Sequence, residues 1–134
     1  MKRLIYRSQP FGFDHAMLAG ILLSARRNNR RDDITGALIC RQDVYLQLIE
    51  GPPDRIDTLY AKIERDDRHC DVRLMLTEDA SERMFAGWDM LDDEAPTLFW
   101  SPAEIAAGAL DAASPVNLRG AFDRIRERSP GPAA

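Results

Sequence analysis

Gln47 sets a primary amide inside the apolar run Tyr45-Leu46-Gln47-Leu48-Ile49. An amide shut away from water needs partners for both its oxygen and its NH2 group, and a strand's own ladder uses backbone groups only. A neighbouring side chain or a bound ligand must therefore supply them. By two-residue alternation Tyr45, Gln47 and Ile49 share one strand face, as do Leu4, Tyr6 and Ser8 near the N-terminus, so a phenol can donate to the amide. Asn28 and Asn29 continue the apolar stripe of a helix that carries Ile21. An Asn side chain pairs well with an imide, donating to its carbonyl and accepting from its ring N–H. Gln47 can reach another heteroatom, and Ile21 and Ile63 can sandwich the ring. The set suits a pocket for a flat, polar-edged heterocycle.

These groups need elements to hold them. Arg3 to Ser8 reads as a first strand closed by the turn Gln9-Pro10-Phe11-Gly12. From Asp14, the residues Met17, Leu18, Ile21, Leu22 and Ala25 recur at helical spacing, and the helix is expected to exit through Arg26-Arg27-Asn28-Asn29. Residues 34–41 and 44–49 form a hairpin around Gln42-Asp43. Gly51-Pro52-Pro53 ends it and starts a second helix with Ile56, Leu59, Tyr60 and Ile63 on its stripe. Strands over 72–77 and 83–91 complete the order β-α-β-β-α-β-β. This is an α+β, ferredoxin-like sandwich with a mixed five-stranded sheet and two helices on one face.

Past residue 92 the chain turns alanine- and proline-rich. Ser101-Pro102-Ala103-Glu104 fits a capping box, and Ser114-Pro115 opens a further helix bearing Leu118, Phe122 and Ile125. The expected organisation is a domain over 1–92, a C-terminal helical extension over 93–128 and a disordered tail over 129–134. The first domain leaves one sheet face bare, so the extension is expected to pack there or against a second subunit.

Composition narrows the function classes. The 134 residues suit a single domain, and the 18 basic and 22 acidic residues are interspersed, which disfavours nucleic acid as a direct partner. Cys40 and Cys70 lack metal-ligand spacing, and no metal site is expected. No apolar run approaches the roughly 20 residues of a membrane span, and the expected location is cytoplasmic.

Six stretches together resemble one known family. Leu4-Ile5-Tyr6-Arg7-Ser8, Ala25-Arg26-Arg27-Asn28-Asn29, Ile34-Thr35-Gly36-Ala37-Leu38, Gln47-Leu48-Ile49-Glu50-Gly51-Pro52, Asp67-Arg68-His69 and Trp88-Asp89-Met90 are similar to the motifs of BLUF domains, flavin-binding blue-light sensors. They occur in the family's order over residues 1–91; the Tyr6-to-Asn29 spacing is slightly shorter, a difference that falls on the loop around Pro10-Phe11-Gly12. The resemblance implies FAD held between the two helices. It implies cofactor contacts from Tyr6, Ser8, Ile21, Asn28, Asn29, Gln47 and Ile63, with Arg68 and His69 near the phosphates. It also implies a photochemical set of Tyr6, Gln47, Trp88 and Met90. In that set Tyr6 gives an electron and a proton to the excited flavin, Gln47 rotates or tautomerises, and the fifth-strand pair Trp88 and Met90 carries the change to the sheet.

Taken singly, Tyr6, Trp88 and Met90 read as core side chains, Asn28 and Asn29 as a helix end, and Arg68 and His69 as surface residues. The leading expectation is a photoreceptor without a recognisable catalytic output domain, acting through a protein partner or its own oligomer, a homodimer or higher homo-oligomer. The competing expectations are a flavin-free interaction module and a small flavin redox enzyme. The intact Tyr6, Asn29 and Gln47 set argues against the first, and the lack of a nicotinamide fingerprint or a clear acid–base pair argues against the second.

Overall fold

The computed structural model describes residues 1–10, 15–40, 44–65, 69–86, 88, 91–93, 102–109 and 112–128. Its elements are β1 (Lys2–Pro10), α1 (His15–Asp32), β2 (Thr35–Cys40), β3 (Tyr45–Gly51), α2 (Pro53–Arg65), β4 (His69–Asp79), β5 (Leu91–Asp93), α3 (Pro102–Ala106) and α4 (Pro115–Arg128). The sheet order is β4-β1-β3-β2-β5, which puts the Gln47 strand at the centre. β1, β2, β3 and β4 pair antiparallel, and β5 joins β2 in parallel. The sheet is mixed and five-stranded, in the expected element order.

Burial on both faces of β3 explains its composition: every residue from Tyr45 to Gly51 is buried. One face packs Leu4, Tyr6, Leu38, Tyr45 and Ile49 against Leu22 of α1 and Ile56 and Ile63 of α2. The other packs Ile5, Ala37, Ile39, Leu46 and Leu48 against Phe85 and the α4 residues Leu118, Ala121, Phe122 and Ile125. α4 thus covers the sheet face that α1 and α2 leave bare. Its start is capped as the sequence suggests: Pro115 takes the first helical position, and the Ser114 hydroxyl accepts the Asn117 N–H at 3.2 Å.

Several boundaries differ from the sequence reading. β1 runs on through Gln9 and Pro10, which were expected in the turn, because Pro10 pairs with His69 of the edge strand β4. α1 continues to Asp32, so Asn28 and Asn29 lie inside the helix. Its end is made by Asp33, which adopts a left-handed conformation (φ 59°), while the Ile34 N–H donates to the Asn29 carbonyl at 2.9 Å. That six-to-one bond is the Schellman closure, with Asp in the place usually held by Gly.

The largest correction concerns the fifth strand. Residues 83–86 are not in the sheet, and β5 is the short Leu91–Asp93. Met84, Phe85 and Trp88 are large apolar residues of the kind strands favour, but the Met84 and Phe85 amides donate to the Glu50 carboxylate, each at 2.9 Å, and are lost to any ladder. Gly36 meets a different constraint: a Cβ there would sit 2.1 Å from the Leu48 carbonyl oxygen, so β2 and β3 approach closely only with glycine.

Phe122 is fully buried against Phe85, whereas Val116 on the same helix is 69% exposed. Phe122→Ala is expected to cost about 3–5 kcal/mol of unfolding free energy, and Val116→Ala no more than about 0.5. Urea denaturation midpoints check both, and equal effects would contradict the docking of α4 on the sheet.

Candidate functional site

The β1–β3 register sets the geometry of the site. Tyr6 stands opposite Gln47, with Leu4 opposite Ile49 and Ser8 opposite Tyr45 on either side. Cross-strand neighbours lie close enough for their side chains to touch, and the Tyr6 hydroxyl donates a hydrogen bond to Gln47 Oε1. On its other flank Gln47 faces Leu38 of β2. Gln47 is 4% exposed, and Tyr6 and Ser8 are buried beside it.

The two helices close over this face. Asn29, in the last turns of α1, is 1% exposed. Tyr60 of α2 meets the Tyr6 ring edge-on, with centroids 5.6 Å apart at 63°. Burial, helped by the nearby Glu64 carboxylate, pushes the Tyr60 phenol above its ordinary range, so it stays neutral near pH 7. Ile63 is buried one turn further along α2. A cleft of about 290 Å³ opens between the end of α1 and the start of α2, lined among others by Asn28, Arg31, Arg55, Leu59 and Lys62. At its α1 rim the Arg31 guanidinium pairs with Asp32 at 3.1 Å, which holds the Asp32 carboxyl below the usual carboxylate range.

Of the residues singled out from sequence, Tyr6 and Gln47 are in contact, and Ser8 and Ile63 are buried on the same face. Asn29 is buried at the end of α1, and Asn28 lines the cleft. Ile21 lies within α1 and His69 opens β4, although their side chains lie outside what is described; Arg68 and Met90 fall wholly outside the described residues. Trp88 packs against the cluster on the opposite face, which includes Phe85 and Phe122. Sequence reasoning misses two features: Tyr60, which in sequence belongs only to the α2 stripe, stands beside Tyr6, and Glu50 is a fully buried carboxylate on the far side of β3. Local pattern gives no clear signal for Glu50, which stands at the strand end before Gly51-Pro52 and reads as a polar edge residue.

The donor set fits a ligand with a planar, polar edge. Two buried amides and a phenol stand on a face otherwise made of Leu, Ile and Tyr side chains, where a flat ring can bury its apolar faces and satisfy its heteroatoms. Among the described residues no group of His, Cys, Asp and Glu could hold a metal ion, and no helix is long and apolar enough to cross a membrane.

Comparison with known proteins agrees with this chemistry. The family model described as BLUF, sensors of blue-light using FAD, matches residues 1–91. The photoactivated adenylate cyclase subunit beta of Euglena gracilis is 35% identical over 68 residues, which are 51% of this chain and 8% of that protein. The solved dark-state structure of BlrB, a BLUF protein, superposes with a TM-score of 0.77 at 27% identity, covering 96% of both chains. A bacterial light-regulated adenylyl cyclase superposes with a TM-score of 0.69 at 31% identity, covering 95% of this chain and 36% of that one. The chain therefore spans a small part of the cyclases it matches.

Tyr6→Phe removes the hydroxyl that holds Gln47 and nothing else. In the flavin-free chain the loss is expected to cost about 1 kcal/mol, seen as a lower urea midpoint. An unchanged midpoint would mean that the contact contributes nothing to the fold.

Proposed function

The chain belongs to the BLUF family, the sensors of blue light using FAD, and from that premise we propose that Tyr6 and Gln47 are its photochemical pair and that it signals to a separate protein partner or to its own oligomer. The observation that carries the reading is the hydrogen bond from the Tyr6 hydroxyl to Gln47 Oε1 on the buried face beneath α1 and α2.

Tyr6, Ser8, Asn28, Asn29, Gln47 and Ile63 would hold the cofactor, with Ile21 of α1 against the ring and Arg68 and His69 toward the phosphates. Asn29 suits the imide edge, where its amide both donates and accepts. FAD, when bound, supplies the blue-light absorption and, once excited, the oxidising power that the chain lacks. Tyr6 is the side chain that can yield an electron together with its hydroxyl proton. Its hydroxyl also fixes the Gln47 amide, so loss of that donor releases the amide to present its other end. Return of the electron and proton to Tyr6 leaves no lasting redox product, only an altered set of hydrogen bonds. The neutral Tyr60 ring packed on Tyr6 keeps water from the phenol and adds no charge beside it.

The matched stretch is a sensor, and the cyclase activity in the relatives' names is not carried over to this chain. We place the output on the far face of the sheet, where Trp88 and α4 pack together. Exposed Val116 on α4 offers an apolar foothold for a partner or a second copy. A reduced, cytoplasmic setting suits the two cysteines.

Gln47→Leu is expected to keep bound FAD and to abolish the small red shift that follows a blue flash, and Tyr6→Phe to block it as well. Absorption spectra before the flash, after it and during dark recovery decide the matter. A normal photocycle in Gln47→Leu would remove Gln47 from the mechanism, and a flavin band that bleaches without shifting would favour a redox enzyme.

A further inference from the structure

β3 carries a second buried polar group, three residues beyond Gln47 and on the opposite face of the sheet. Glu50 is fully buried, and its carboxylate is saturated. Oε1 accepts the Met84 N–H at 2.9 Å and faces Arg3 Nε at 3.5 Å. Oε2 accepts the Phe85 N–H at 2.9 Å and the Thr35 hydroxyl at 3.0 Å. A carboxylate is the side chain that can accept from two successive backbone amides at once, and such charge-assisted bonds are the strong ones.

The segment held in this way continues to Trp88 and packs against α4. The Phe85 carbonyl accepts the Trp88 N–H at 2.9 Å, and the Trp88 carbonyl accepts the Gly36 N–H of β2 at 3.1 Å. The Phe85 ring meets Phe122 of α4 edge-on, with centroids 6.3 Å apart. A second path leaves Glu50 through Arg3, which also donates to Glu78 at 3.2 Å, and Glu78 accepts Arg119 of α4 at 2.7 Å. Arg83 braces the same corner, donating to the Thr35 hydroxyl at 2.9 Å and to the Asp33 carbonyl at 2.9 Å.

We propose that Glu50 is the positioning residue that couples the Gln47 strand to Met84, Phe85 and Trp88 and, through Phe85 and Arg3, to α4; the proposal rests on the photosensor reading above. A shift of β3 that follows a change in the bonding of Gln47 either carries the Met84 and Phe85 amides with it or breaks two charge-assisted hydrogen bonds. Phe85 in turn cannot move without re-seating against Phe122, because packed cores shift between discrete arrangements and do not deform freely.

The test is amide hydrogen exchange on the full FAD-loaded chain, in the dark and under blue light. In the wild-type chain, light is expected to change exchange at the Met84 and Phe85 amides together with that of residues 115–128. Glu50→Gln offers one acceptor and one donor where two acceptors stood. It is expected to keep the flavin band and its red shift while losing the light-dependent difference at 115–128. A merely structural role for Glu50 would lower dark-state protection without abolishing that difference. The proposal is overturned if 115–128 responds to light while Met84 and Phe85 do not, if 115–128 shows no response, or if Glu50→Gln keeps the response. Should Glu50→Gln not fold, the wild-type comparison decides alone. Absence of any flavin shift in the wild-type sample, read before exchange begins, would instead bring down the photosensor reading itself.

Discussion

The pairing of β1 with β3 is the constraint on which the rest of the structure depends. Side chains alternate along a strand, so sliding the register by one residue would turn Tyr6 away from Gln47 and every apolar side chain of β3 to the wrong face. The cores on both sides of the sheet therefore fix the pairing. With the register fixed, a phenol and a primary amide are placed together on a face where water is excluded. The amide's orientation is then tied to the Tyr6 hydroxyl, and a change in that hydrogen bond bears directly on it.

The same alternation gives β3 a polar group on each face: the Gln47 amide under α1 and α2, and the Glu50 carboxylate under the segment that leads to α4. Leaving either group without its partners would cost several times the net worth of an ordinary hydrogen bond. Both are tied to neighbours that are distant in sequence, and they give a change on one side of the sheet a mechanical route to the other. α4 sits at the end of that route, held by Phe122 in the core and by Arg119 at the rim.

Much of this was legible in the sequence, for identifiable reasons. Gln47 stood out because an amide interrupts an apolar run, and two-residue alternation put Tyr6 on a matching face. Asn29 stood out because it continues an apolar helical stripe. The end of α1 was misplaced because Asn28 and Asn29 favour helix termini, and the left-handed residue that actually ends the helix is Asp33. The fifth strand was misplaced because Met84, Phe85 and Trp88 look like strand residues locally. What removes residues 83–86 from the sheet is a carboxylate more than thirty residues earlier, which no local pattern reveals. Glu50 itself reads as a polar strand end before Gly51-Pro52, and only tertiary packing makes it buried.

The central claim is that light changes the bonding of the Gln47 amide while its strand stays paired. A light-minus-dark infrared difference spectrum, recorded with and without carbonyl-13C label in the glutamine side chains, tests it most directly. The account predicts an isotope-sensitive amide carbonyl band that shifts on illumination, reverts with the flavin absorption and is missing in Gln47→Leu. A flavin absorption shift with no isotope-sensitive glutamine band would contradict it.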